Sequence, residues 1–163
     1  MCTLYILLGG NIGESQTVFN EAEKLIIKNI GAFTDRSSFY RSPAWGFSAS
    51  QDFLNRVLKV QTALLPLEVL RETQKIELLL GRKVKTSKEQ YESRIIDIDI
   101  LFYDKQIINT DVLTIPHPRL HLRNFTLKPL LEIAPNLIHP LLGKTIIELY
   151  QETIDDSVVI QDK

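Results

Sequence analysis

The sequence has one cysteine, Cys2, so no internal disulfide framework can hold it, and a reducing compartment suits it. It lacks long apolar runs. The only early one, residues 4–8, is too short for a signal-peptide core and far too short to span a bilayer. It also lacks a charge of one sign: 19 basic against 20 acidic residues give a net −1. That excludes the global electrostatic footprint of a nucleic-acid or anionic-membrane binder. Repeats, low-complexity tracts and linkers are absent too. What remains is 163 residues, 44% of them hydrophobic. A chain of this size buries about two-thirds of its unfolded surface, enough for a core without metal or disulfide. The expectation is one domain over residues 1–163, soluble and cytoplasmic, a monomer that takes small molecules rather than nucleic acid or membrane.

A short apolar run over residues 3–8 ends in Gly9-Gly10-Asn11, as a buried strand does on meeting a turn. Residues 14–29 place Val18, Ala22, Leu25 and Ile26 at helical spacing, with Gly31 just beyond. Residues 32–40 and 53–62 read as strands, and Leu54, Leu58 and Val60 share a face of the second. The loop between them carries Trp45 and Phe47, two aromatics that need something to pack on. Pro66 and Gly81 bracket a helix over residues 67–80. Residues 94–103 read as a strand, turning at Asp104-Lys105 into a hairpin partner at 106–108. Asn124 is placed to cap a helix over 125–133, bent near Pro129, and residues 146–151 add a last helical turn. This order predicts an α+β fold with a mainly antiparallel sheet, of the split-βαβ, ferredoxin-like kind. Fold by itself assigns no activity.

The strongest chemical signal is Arg94-Ile-Ile-Asp97-Ile-Asp99-Ile-Leu-Phe. Alternation puts both aspartates on one strand face, with Cα atoms roughly 7 Å apart. Two like charges among apolar neighbours repel and lose hydration. A divalent cation, Mg²⁺ with phosphate oxygens and water, would relieve them; an edge strand with a solvated polar face is the other reading. Next comes the stretch from Gly81 to Arg94, which holds Arg82, Lys83, Lys85 and Lys88 with no periodicity. A loop of that length is either a binding lid or a solvated segment. Beside a carboxylate pair, its cations point to a polyphosphate. In the second helix, Leu70, Gln74 and Glu77 form one stripe, facing solvent or lining a site. Phe53 and Asn55 share a strand face and Phe125 opens the late helix, either as core or as the stacking and hydrogen-bonding groups of a flat heterocycle.

Other motifs fail on inspection. Gly143-Lys144-Thr145 lacks the P-loop's earlier glycine, where Ile138 stands. Leu8 occupies the first-glycine position of a dinucleotide fingerprint. His117 and His121 are four apart, but prolines flank the first and no glutamate follows it, which argues against zinc.

Seven blocks run in order along the chain: Leu8-Gly9-Gly10-Asn11, Phe53-Leu54-Asn55, Gln74-Lys-Ile-Glu77-Leu, Gly81-Arg82, Arg94-Ile-Ile-Asp97-Ile-Asp99-Ile-Leu, Ile115-Pro-His117-Pro and Arg123-Asn-Phe125-Thr-Leu-Lys-Pro-Leu-Leu-Glu-Ile-Ala-Pro135. Together they resemble the 6-hydroxymethyl-7,8-dihydropterin pyrophosphokinases of folate biosynthesis. The resemblance implies a ferredoxin-like fold and transfer of a diphosphate from ATP to the pterin hydroxymethyl group, releasing AMP. It implies that Asp97 and Asp99 hold two Mg²⁺ ions and that Arg82 and Arg94 meet the transferred phosphates. It makes Phe53 and Phe125 the walls around the pterin, with Asn55 and the segment Ser42-Pro43-Ala44-Trp45 reading its polar edge. Leu70, Gln74, Glu77, Lys85, Tyr91, Arg94, Ile100, Thr114, His117 and Arg123 would line the nucleotide site. The chain departs from the family in places. Phe53 stands where tyrosine is common, Gly10 where serine is common, and Tyr91-Glu92-Ser93 where an aromatic is followed by Gly-Pro. Lys83 and Lys85 flank Val84, where a second lid arginine is usual. Two rival classes use the same residues: a two-metal phosphodiesterase and a ferredoxin-like binding module without turnover.

Overall fold

The computed structural model describes residues 1–10, 15–43, 52–81 and 95–162. Its elements are β1 (Cys2–Gly10), α1 (Ser15–Asn29), β2 (Gly31–Arg36), β3 (Phe39–Ser42), β4 (Phe53–Thr62), α2 (Pro66–Leu79) and β5 (Asp97–Tyr103). They are followed by β6 (Ile108–Asn109), β7 (Thr114–Ile115), a 3-10 turn over Leu120–Leu122, α3 (Asn124–Ile133), α4 (Ile146–Glu152) and β8 (Ile160–Asp162). The main sheet runs β5-β1-β4-β3-β8, with β2 also paired to β4. Its pairings among the described residues are antiparallel. Two split βαβ crossovers produce this order: α1 carries the chain past the position that β4 fills later, and α2 carries it from β4 past β1 to β5; the fold is α+β and ferredoxin-like.

Period-2 alternation sorts the core into two layers. Leu4, Ile6 and Leu8 of β1, Leu54, Leu58 and Val60 of β4, and Ile98 and Ile100 of β5 pack against Phe19, Ala22 and Ile26 of α1 and Val69 and Ile76 of α2. Tyr5, Leu7, Val57 and Leu101 take the opposite face, under Leu127 and Leu130 of α3 and Ile146 and Leu149 of α4. β1 is buried on both faces, which is why it reads as a continuous apolar run rather than an alternating one. Removing a fully buried side chain such as Leu58 would cost about 2–5 kcal/mol.

α2 begins and ends as its sequence demands. Pro66 sits in the first turn, and Gly81 adopts φ +97° just past the C-cap. Gly10 answers a different constraint: a Cβ there would collide with the carbonyl oxygen of Ile95 unless that backbone shifted.

Four expectations need correction. The strand anticipated over 32–40 is two strands, β2 and β3. Buried Ser37 breaks it, giving its N–H to Val57 O (2.8 Å) and accepting the Val57 N–H on its own hydroxyl (3.0 Å). The chain does turn at Asp104-Lys105, with Asp104 at φ 49°, but the returning segment pairs as β6 with β7 rather than with β5. Asn124 lies inside α3 and does not cap it. The Asp155 carboxylate accepts the Asn124 N–H at 2.8 Å, from 31 residues away. β8, a short polar strand on the outer edge of β3, is an addition to the expected set. Among the described residues no helix is long and apolar enough to cross a membrane.

Candidate functional site

Directly opposed residues of an antiparallel pair share a face. Gly9 is opposite Asp97 on one side and Asn55 on the other, and Asn55 is opposite Tyr40. Asp97, Gly9, Asn55 and Tyr40 therefore form a row across four strands, on the face that α3 covers. Asp99 and Phe53 stand on the same face, two residues along β5 and β4. Neighbouring Cα atoms in such a row are about 4.5–5.5 Å apart. Asp97 and Asn55 are thus separated by about 10 Å with only a glycine between them. A flat or compact ligand can lie in that gap.

Asn55 is 1% exposed. Its amide N–H groups go to Ser42 Oγ (2.8 Å) and Tyr40 O (3.3 Å). A backbone carbonyl can only accept, so this orientation directs Oδ1 over Gly9, 3.5 Å from where a Cβ would stand. Ser42 ends β3 and is buried; Pro43 follows it and is exposed. α3 is tied to this edge by Glu132, which accepts from the Tyr40 hydroxyl (2.7 Å), the Ser38 N–H (3.0 Å) and the Ser38 hydroxyl (3.2 Å).

The start of α3 brings a cation to the acid pair. Burial pulls the Arg123 guanidinium down, Asp99 pushes it back up, Arg119 lowers it and Asp97 raises it. The same guanidinium lies 5.2 Å from the centroid of the Phe125 ring, a cation–π distance. So Asp97, Asp99, Arg123 and Phe125 belong to one neighbourhood. His117 borders it. Burial first, then Arg123 and Arg119, lower its pKa to about 4. Its Nδ1 accepts the Arg119 N–H at 3.1 Å, so the neutral ring carries its proton on Nε2 and can donate there.

The nucleotide-side residues divide. Glu77 is buried, and its Oε2 accepts the Ile98 N–H at 2.7 Å. It thereby fastens the start of β5, between the two aspartates, to α2. Gln74 is exposed and Leu70 packs half-buried on the core. The Ile100 side chain is 6% exposed in the α1–α2 layer, on the face away from Asp97 and Asp99. Only its main chain can serve a ligand, and alternation directs those groups outward from β5, as for Ile98. Thr114 is half-buried on β7. Ala44, Trp45, Arg82, Lys85, Tyr91 and Arg94 lie outside the described residues. A cleft of about 690 Å³ lined by Tyr5, Lys59, Lys105 and Leu137 opens at the other end of the sheet, away from the acid pair.

Sequence reasoning missed Arg119, Glu132 and the spacer role of Gly9. Gly9 left a trace in a strand ending on two glycines and Glu132 in the block that ends at Pro135, but neither role was visible there.

Among the described residues no cluster of three or more His, Cys, Asp or Glu side chains could cage a metal. Two carboxylates alone fit Mg²⁺, which keeps water and takes substrate phosphates for the rest of its shell.

Residues 5–135 match the family described as 7,8-dihydro-6-hydroxymethylpterin-pyrophosphokinase. The 2-amino-4-hydroxy-6-hydroxymethyldihydropteridine pyrophosphokinase of Aquifex aeolicus is 42% identical over 93% of this chain and 92% of its own. The protein of the same name from Haemophilus influenzae is 37% identical over 98% of both. Folic acid synthesis protein fol1 of Pneumocystis carinii is 40% identical, but only 20% of its length is covered. Among solved structures, the HPPK-DHPS triple mutant of Plasmodium falciparum with STZ-DHP superposes with TM-score 0.76 at 18% identity, over 93% of this chain and 43% of that one. That likeness shows the fold.

Proposed function

The chain belongs to the 7,8-dihydro-6-hydroxymethylpterin-pyrophosphokinase family, and from that membership we propose how its residues divide the work. It is an ATP-dependent diphosphotransferase of folate biosynthesis. The pterin hydroxymethyl oxygen attacks the β-phosphorus of ATP, the bond from that phosphorus to the α–β bridging oxygen breaks, and AMP leaves with the bridging oxygen. The alcohol releases its proton to solvent as its oxygen bonds to the phosphorus.

Such a transfer asks the protein for alignment and charge neutralisation rather than covalent chemistry. Asp97 and Asp99 would hold two Mg²⁺ ions, which supply charge neutralisation to the phosphates and to the attacking oxygen. Arg123 stands beside the acid pair, where it can meet phosphate oxygens once they arrive. His117, neutral with its proton on Nε2, donates a hydrogen bond without adding charge. Glu77 positions the aspartates through the Ile98 N–H, and the outward main chain of Ile100 offers a donor and an acceptor to a base edge. Phe53 and Phe125 stack on the pterin. Asn55 Oδ1 accepts from its ring N–H groups, while Ser42 keeps the Asn55 amide turned that way. Arg82 and Arg94, with Lys85 and Tyr91, would meet the triphosphate, and Leu70, Gln74 and Thr114 border the nucleotide. Pro43, Ala44 and Trp45 complete the pterin edge. Residues 1–163 act as one domain.

The observation that carries this assignment is the row Asp97–Gly9–Asn55, which sets an acid pair and a buried amide on either side of a gap. Protein, Mg²⁺ and ATP incubated with and without the hydroxymethyl pterin test it. AMP forms only with the pterin. AMP or ADP formed equally without it would point to a phosphodiesterase or an ATPase, and no nucleotide product in either tube to a binding module.

A further inference from the structure

The family match ends at residue 135, yet the chain beyond it returns to both sides of the pterin slot. Asp155 Oδ2 accepts the N–H of Asn124 at 2.8 Å. The Asn124 amide answers with bonds to Asp155 O (2.8 Å) and Ser157 O (3.2 Å). Ser157 fixes the other carboxylate oxygen, donating from its N–H (2.9 Å) and its hydroxyl (2.7 Å) to Asp155 Oδ1. Asn124 stands between Arg123 and Phe125, so this set of bonds grips the helix start that carries one pterin wall. It also satisfies a backbone N–H that a helix terminus leaves without an internal partner, with an acid where the helix dipole favours one.

A few residues later the same segment reaches the opposite side. β8 pairs Ile160, Gln161 and Asp162 with Arg41, Tyr40 and Phe39 of β3. Arg41 donates through Nε to Asp162 Oδ1 (3.1 Å) and through a terminal nitrogen to Oδ2 (3.4 Å). The next residue, Ser42, holds the Asn55 amide. Hydrophobic burial does not explain the path: Ile154, Val158 and Ile160 are 93%, 69% and 61% exposed, and Val159 alone of that group is buried. A segment with so little burial stays ordered only where something ties it down. This one is tied at α3 and at β3.

We infer that residues 153–162 form a clasp that sets the width of the pterin slot, with Asp155 as a positioning residue. The inference rests on the pterin assignment above. Stacking on both faces of a flat ring needs walls held to within a fraction of an ångström, since a gap of about 0.5–1 Å forfeits a quarter to a half of each dispersion contact. The clasp joins the element bearing Phe125 to the strand that leads into Ser42 and Pro43. Loss of the β3 end therefore falls on pterin binding and spares the nucleotide, whereas loss of the Asp155 end also loosens Arg123, the neighbour of Asn124, and touches the nucleotide to a lesser degree.

Asp155→Ala and Asp162→Ala, which open opposite ends, test this in the full chain. Calorimetric titration with the hydroxymethyl pterin and, separately, with a non-hydrolysable ATP analogue is set beside steady-state kinetics and thermal melting. The expected result for either variant is a pterin Kd and KM raised about tenfold, on the scale of one lost charge-assisted hydrogen bond. For Asp162→Ala the ATP-analogue Kd and kcat at saturating pterin stay within about twofold, and for Asp155→Ala the loss of nucleotide affinity is the smaller of the two losses. Asp155→Asn keeps an acceptor oxygen for the Asn124 N–H and recovers most of the pterin affinity. Should Asp155→Ala not fold, Asp162→Ala decides alone. Unchanged pterin affinity in folded variants overturns the clasp. So does an equal loss of pterin and nucleotide affinity that tracks the melting temperature, the mark of a merely structural tether. If wild-type protein makes no pterin-dependent AMP, the pterin assignment itself fails and the clasp with it.

Discussion

Two adjacent glycines should respond to the same substitution in opposite ways. Gly9→Ala adds one methyl group in the gap between Asp97 and Asn55. The nearest atoms to that methyl would be Asn55 Oδ1 at 3.5 Å and Leu54 O at 4.0 Å, both ordinary van der Waals distances. The protein therefore accommodates it. Alanine should even gain about 0.5–1 kcal/mol over glycine inside a strand, because less backbone entropy is lost on folding. A bound pterin cannot accommodate it if its edge crosses Gly9 to reach Asn55. Forcing an extra methyl into a filled site costs about 1–3 kcal/mol, which is about a 5- to 150-fold loss of pterin affinity. Gly10→Ala is the contrast. Its Cβ would strike the carbonyl oxygen of Ile95, so the backbone must shift and stability should fall by about 1–3 kcal/mol. Urea unfolding of both variants, with calorimetric titration of the pterin, checks the pair. A stable Gly9→Ala protein that binds and turns over the pterin like wild type would refute the placement of the ligand over Gly9.

Other outcomes follow from the same geometry. Asp97→Ala and Asp99→Ala should each lower kcat by at least about 10²-fold at saturating Mg²⁺, since a removed ligand forfeits several kcal/mol of charge stabilisation; both should fold, and near wild-type turnover in steady-state assays would remove the metal assignment. Phe125→Ala should weaken pterin binding by about 2–4 kcal/mol, the stack plus the buried area, with little change in ATP-analogue affinity in a parallel titration. Stability should depend on pH through His117 and His139, both lowered to about 4 from 6.5, in each case chiefly by burial. The unfolded chain binds their protons near pH 6.5 and the folded chain only near 4. Their contribution is thus complete above about pH 6.5 and is lost progressively as the pH falls toward 4. Urea midpoints between pH 4 and 7.5 should show that slope, and His139→Gln should reduce it.

Local signals placed the elements they could reach. Pro66 and Gly81 mark the ends of α2 to within a residue, because a fixed φ and a positive φ are properties of single residues. Leu54, Leu58 and Val60 share a buried face because alternation is a local rule. The break between β2 and β3 was illegible, since it depends on Ser37 trading bonds with Val57 across the sheet. The α3 cap was misplaced for the same reason: its acceptor, Asp155, is distant in sequence. In the candidate site, the shared face of Asp97 and Asp99 follows from spacing. The row through Gly9 to Asn55 needed the register of three strands. Glu77 shows the limit most clearly. A polar residue on a helix stripe reads equally as solvated or as lining a site, and only the Ile98 N–H at 2.7 Å reveals what it holds.

The central claim is that a whole diphosphate moves, and the fate of the β-phosphorus tests it most directly. ATP labelled at the β-phosphate, incubated with the protein, Mg²⁺ and the hydroxymethyl pterin, should deliver the label to a pterin diphosphate and leave AMP unlabelled. Label recovered in ADP, or as free pyrophosphate with the pterin unchanged, would contradict the account.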